Sequence, residues 1–158
     1  MRRSLTVSVA VALAVVATWL AGAAPAGAAD SPVGTWVKKA DAGKPAMTLT
    51  IDSWGRGKAK LTYDIKIKDT SMVLTIVSAL DGNDAPVLIN GKPSGETMAI
   101  KMLDPRHSST VLKMNGKPFG TSKGAFSADY NTLTVENDFA SAVAGNTPGK
   151  STETWTRK

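Results

Sequence analysis

The sequence predicts an all-β domain, a sandwich or an up-and-down barrel of about nine or ten short strands, behind a cleavable secretory signal. Three observations predict it. Apolar and polar residues alternate without a break at 47–52 and again at 58–66, the period of a strand with one buried face. Turn residues recur at a spacing of roughly 8–14 residues, with no helical periodicity between them. The N-terminus has the layout of an export signal: positive, then apolar, then small residues.

The signal comes first along the chain. Arg2 and Arg3 precede an apolar run over 5–22, built mainly of Ala, Val and Leu, and then Ala23-Ala24-Pro25-Ala26-Gly27-Ala28-Ala29. The best small-x-small cleavage match is Ala26-Gly27-Ala28, so residues 1–28 are expected to be removed and the mature chain to start at Ala29. The apolar run is nearly long enough to span a bilayer. Pro25, the small residues and the lack of an immediate positive cluster favour cleavage over a permanent membrane anchor. With no cysteine at the junction, lipid attachment there is ruled out. The expected location is secreted or periplasmic, the host's envelope deciding which.

The mature chain then reads as strands. Met47-Thr48-Leu49-Thr50-Ile51-Asp52 alternates, and in the run 58–66 Ala59, Leu61, Tyr63 and Ile65 share one face. Gly55-Arg56-Gly57 joins these two runs as a hairpin turn. Residues 72–80 are almost all apolar, consistent with a strand covered on both faces, or at least well protected. Asp81-Gly82-Asn83-Asp84 is expected to turn the chain. A short strand at 86–89 and a longer one at 96–103 follow, the latter with Met98, Ile100 and Met102 on one face. Residues 107–114 and 118–126 flank Asn115-Gly116, the strongest hairpin dipeptide in the sequence. Strands at 132–139 and 152–158 close the domain. Asn-Gly-Lys-Pro occurs at 90–93 and again at 115–118, a turn used twice in a meander.

Composition narrows the function classes. About 130 residues remain after the signal, enough for one domain with a real core. There is no cysteine, so disulfides, thiolate nucleophiles and cysteine metal sites are excluded. The net charge is +6, and without Arg2 and Arg3 it is 17 basic against 13 acidic residues, spread along the chain. Nucleic-acid binders cluster their basic residues between aromatics. The basic stretch at 56–68 instead alternates with apolar residues, as the wet face of a strand does.

Two further features favour the barrel. Gly34-Thr35-Trp36 opens the mature domain, and the last strand carries Trp155 and Arg157. This pairing resembles the calycin group, the lipocalins and fatty-acid-binding proteins. That resemblance implies a single antiparallel up-and-down barrel of about 8–10 strands, with Trp36 plugging one end and Arg157 lying across it. A cation over an indole face is worth about 0.5–2 kcal/mol. The chain also resembles small exported bacterial proteins described as lipocalin-like, through Gly34-Thr35-Trp36, the 81–87 segment, Asn115-Gly116-Lys117, Ser127-Ala128-Asp129 and Thr132-Leu133-Thr134-Val135; no biochemical role comes with that likeness. Two departures stand out. Only about ten residues separate the first two strands, where fatty-acid-binding proteins insert a helical pair. Trp155-Thr156-Arg157 also stands where those proteins carry the Arg-x-Tyr pair that holds a carboxylate.

No catalytic constellation emerges. His107 is the single histidine; it shares a strand face with Ser109 and is expected to face solvent beside the 104–106 turn. Asp81 with Asp84, and Glu136 with Asp138, read as turn and wet-face residues. Met98, Met102 and His107 could between them hold Cu(I), but methionine more commonly fills irregular core gaps. The chain therefore reads as a non-enzyme without cofactor or metal. The expected role is a barrel whose inward residues Met47, Leu49, Ile51, Leu61, Tyr63, Ile65, Met98, Ile100 and Met102 enclose a small hydrophobic ligand. The alternative is an envelope structural or interaction module with a solid core, favoured by inward Tyr63 and Phe126.

Overall fold

A computed structural model describes residues 30–38, 46–55, 57–67, 70–142 and 147–158. The expected signal peptide, its cleavage at Ala29 and the connection over 39–45 lie outside the described residues. Ten strands follow in chain order: β1 (Gly34–Lys38), β2 (Ala46–Ser53), β3 (Ala59–Ile67), β4 (Thr70–Ser78), β5 (Asp81–Ile89), β6 (Lys92–Asp104), β7 (His107–Met114), β8 (Lys117–Phe126), β9 (Thr132–Phe139) and β10 (Gly149–Arg157). Each pairs antiparallel with its neighbours in sequence, and β1 also pairs with β10, so the sheet closes into an up-and-down barrel. Closure leaves no free sheet edge, which removes the template for edge-to-edge aggregation. Among the described residues there is no helix.

The turns follow from local chemistry. Asn90 and Gly91 have φ of 49° and 78°, and Asn115 and Gly116 have 50° and 78°. Both are two-residue hairpins of the type that needs positive φ at both positions, so the repeated tetrapeptide makes the same turn twice. Register agrees, with Ile89 opposite Lys92 and Met114 opposite Lys117. The β2–β3 turn is closed by Lys58 N–H donating to Gly55 O at 3.1 Å.

Two expectations are corrected. Asp81-Gly82-Asn83-Asp84 does not reverse the chain; it is the start of β5. The reversal falls at 79–80, with buried Leu80 at φ 60°. Asp81 does accept from Asn83 N–H (2.9 Å) and from its side-chain amide (2.7 Å), the local bonding typical of Asx turns. Those bonds serve a bulge instead: the β5–β6 register slips between Asp81 and Asp84, and again between Pro86 and Leu88, where a proline without an N–H is tolerated. The second correction is β4. It is covered on its inner face only; Met72, Leu74 and Ile76 point inward while Val77 on the outer face is 53% exposed. A run of β-branched residues satisfies strand propensity and inner packing together, so it does not require two covered faces.

The core occupies one end of the barrel. Trp36, Ile51, Ala59, Ile76, Leu80, Val87, Ile100, Phe126, Leu133 and Trp155 are all buried there or just inside it. Towards the opposite end the inward rows open: Met47, Met72, Ile89, Met98, Val135 and Phe139 are only partly buried.

Candidate functional site

The closed end is built around Trp36, which is fully buried. Its indole N–H donates to Pro32 O at 3.0 Å, and its ring lies 5.4 Å from that of Phe126. Phe126 in turn meets Trp54 edge-on at 5.4 Å and Tyr130 at 6.0 Å. Arg157 is the register partner of Trp36, and its guanidinium carbon sits 5.0 Å from the indole centroid. Arg157 is also a clamp. Nε donates to Tyr130 O at 2.8 Å, Nη1 to Val33 O at 2.9 Å, and Nη2 to Ser31 O. The segment before β1 and the β8–β9 turn are thereby tied to the last strand. Gly34 permits this approach: its φ is +146°, and a Cβ there would stand 2.9 Å from Nη1.

Above this plug lies a cavity of about 450 Å³. Strand alternation sends every second side chain of each strand inward, so the wall is set by sequence parity. Of the nine inward residues expected from the sequence, Met47, Leu49, Ile51, Leu61, Tyr63, Ile65, Met98 and Ile100 line this cavity. Met102 does not. It packs against the core beyond the cavity floor, where the β6–β7 register slips between Met102 and Asp104.

The wall has two sides. β2, β3 and β4 contribute the apolar side. β6 to β10 add polar groups that the apolar-pattern reading passed over: Glu96, Ser108, Thr110, Ser122, Asn137 and Glu153. Ser122 Oγ donates to Asn137 Oδ1 at 2.6 Å, and Glu153 takes the ammonium of Lys38 on β1. Glu96 is 5% exposed, and none of the hydrogen bonds or ion pairs among the described residues reaches its carboxylate. Burial pushes its pKa up. Trp155, meeting Tyr63 edge-on at 6.0 Å, has its indole N–H buried without an acceptor among the described residues. Tyr63 is pushed up to about 12, first by burial and then by the charge of Glu153. The signal that could have found these groups was parity: Glu96 shares a face with Met98 and Ile100, and Glu153 shares one with Trp155.

The remaining sequence candidates fall on the outer surface. His107 is exposed, with Nδ1 2.7 Å from the Asp104 carboxylate, while its neighbour Ser108 points into the cavity. Backbone N–H of Arg106, then the His107 ring, hold Asp104 below the usual carboxylate range. Met98 lines the cavity, Met102 packs at its floor and His107 faces outward, so strand geometry sends these three to different surroundings. Glu136 and Asp138 are exposed on the outer face of β9.

No family profile matches the sequence, and the search of curated proteins finds no match. The fold has a solved counterpart. A crystal structure of a point mutant of the fluorescent protein UnaG superposes with a TM-score of 0.59 at 15% identity, over 80% of this chain and 95% of that one. This chain has a calycin-like fold. At that identity the likeness concerns architecture alone, and the calycin-like barrel's wall chemistry is its own.

Proposed function

We propose that this chain is a lipocalin-like binding protein that carries a small hydrophobic molecule inside its barrel. It is exported to the periplasm or the medium after loss of residues 1–28, and it works without a permanent membrane anchor. The observation that carries the reading is the cavity itself. About 450 Å³ lies within the roughly 300–1,000 Å³ of small-molecule sites, and a mostly apolar wall with a few inward polar groups is the usual composition of such sites. A solid-core structural module would need those inward rows to fill the interior at native packing density. Tyr63 and Phe126, whose bulk favoured that alternative, both stand in the cavity wall.

Two experiments test it. Native mass spectrometry of the protein purified from its own host should show a retained small molecule. The recombinant domain should bind the neutral dye N-phenyl-1-naphthylamine saturably at one site, and Leu74→Trp, which places a large side chain in the wall, should weaken that binding at least tenfold. Absence of both retained ligand and saturable dye binding would return the barrel to the solid-core reading.

A further inference from the structure

The described cavity wall carries acids and no base. Among its described lining residues there is no lysine, arginine or histidine, but there are two carboxylates, Glu96 on β6 and Glu153 on β10. Glu153 is neutralised by Lys38 from β1. Glu96 is not neutralised by any described residue. Its backbone N–H is satisfied by Ser94 Oγ at 3.1 Å, and that hydroxyl donates onward to Val87 O at 2.8 Å, so the Ser94 side chain is already engaged. On the adjacent strand the residue opposite Glu96 is Met114. A carboxylate in a largely apolar wall with no described partner is costly to ionise, and such groups persist where something else completes them.

We propose that Glu96 is the head-group anchor of the cavity and that the ligand is an amphiphile with a cationic amine head and an apolar body. This rests on the reading of the barrel as a binding protein and names the ligand class for that site. Glu96 sits near the end of β6 where the wall opens, and Ile100, four residues along the same face, lies deep beside the core. Two pleat repeats separate them, about 13 Å of wall. An ammonium held at Glu96 therefore sends an alkyl or ring body down the apolar side, towards Trp54 and Phe126. The raised pKa of Glu96 fits a group awaiting a donor. A carboxylate-headed lipid meets the reverse: two acids and, among the described lining residues, no free cation to receive it, a repulsive element that discriminates against anions. The 17 basic against 13 acidic residues left after loss of residues 1–28 would favour anions, so a preference for amines has to come from the cavity.

The test displaces N-phenyl-1-naphthylamine from the mature domain at neutral pH with decylammonium, decanol and decanoate, which share a tail and differ in head. The expected order is decylammonium first, about tenfold or more ahead of decanol, as a charge-assisted hydrogen bond gives, with decanoate last. Glu96→Gln should narrow the amine-to-alcohol gap to about threefold or less. Glu136→Gln on the outer face should keep the gap. Decanoate binding as well as decylammonium, or a gap unchanged in Glu96→Gln, overturns the anchor while leaving the binding reading standing. Failure of the dye to bind the wild type overturns both. Circular dichroism checks each variant's fold; should Glu96→Gln not fold, the wild-type order alone decides, any order other than amine, alcohol, carboxylate overturning the proposal.

Discussion

Replacing Trp36 and Arg157 singly and together probes how the barrel end is held. Trp36 is fully buried, and Trp36→Ala leaves a cavity under Phe126 and removes the bond to Pro32 O. Large-to-small aromatic replacements in a core cost about 3–5 kcal/mol. Arg157→Ala removes donors to three carbonyls and the contact over the indole, from a side chain that stays partly wet. At roughly 0.5–1 kcal/mol net for each partly solvated bond, plus about 0.5–1 kcal/mol for the cation–π contact, the expected loss is about 2–4 kcal/mol. The two share one contact, so the double variant should lose about 1 kcal/mol less than the sum. Urea denaturation of the four proteins, read by far-ultraviolet circular dichroism, gives the cycle. A Trp36→Ala loss below about 1 kcal/mol, or additivity within about 0.5 kcal/mol, would refute the account of the plug and clamp.

Other outcomes follow from the same structure. Gly34→Ala should cost about 1–3 kcal/mol, because it combines a positive φ with a Cβ crowding Arg157; a neutral result in urea denaturation would contradict that geometry. Tyr63 holds its proton to about pH 12 against an ordinary 10, so the stability it contributes is full below pH 10 and declines as pH rises towards 12, as tyrosinate absorbance followed alongside unfolding should show. Glu96 also has a raised pKa, so its favourable contribution is present below the ordinary glutamate value and lost as pH rises through the folded one. Glu96→Gln should accordingly raise the urea midpoint at neutral pH and leave it unchanged in acid. Peptide sequencing of protein recovered outside the cytoplasm should find an N-terminus within a few residues of Ala29, and finding residues 5–20 in that protein would defeat the signal reading.

Much of the barrel was legible because period-two alternation and Asn-Gly turns act locally. Residues 132–139 read as a strand with the bounds that β9 has, since polar turn residues flank a short alternating run. The Asp81-Gly82-Asn83-Asp84 segment misled for the same reason: its side-chain bonding to the backbone is the same in a turn and in a bulge, and only pairing with β6 separates the two. In the cavity, apolar residues on alternating strands were placed inward by parity alone. Glu96, Asn137 and Glu153 obey the same parity, but hydrophobicity sorts polar residues to the outside. Their inward position depends on ring closure, which brings β6, β9 and β10 round to face β2 and β3. Met102 shows the opposite limit, since parity cannot say how far along a strand the open space extends.

The seam between β1 and β10 also fixes where the ends of the domain are. Lys158 N–H donates to Thr35 O at 2.9 Å, and Arg157 grips Ser31 and Val33, so the described chain enters and leaves through the plugged rim. The opposite rim, towards which the inward rows become less buried, is formed by the far ends of the strands. A tether, fusion partner or surface attached at either end of the described chain would hang below the floor, away from that rim. Joining the two termini by a short linker and cutting the chain elsewhere should likewise preserve the vessel, because the new junction would bridge neighbours that already touch.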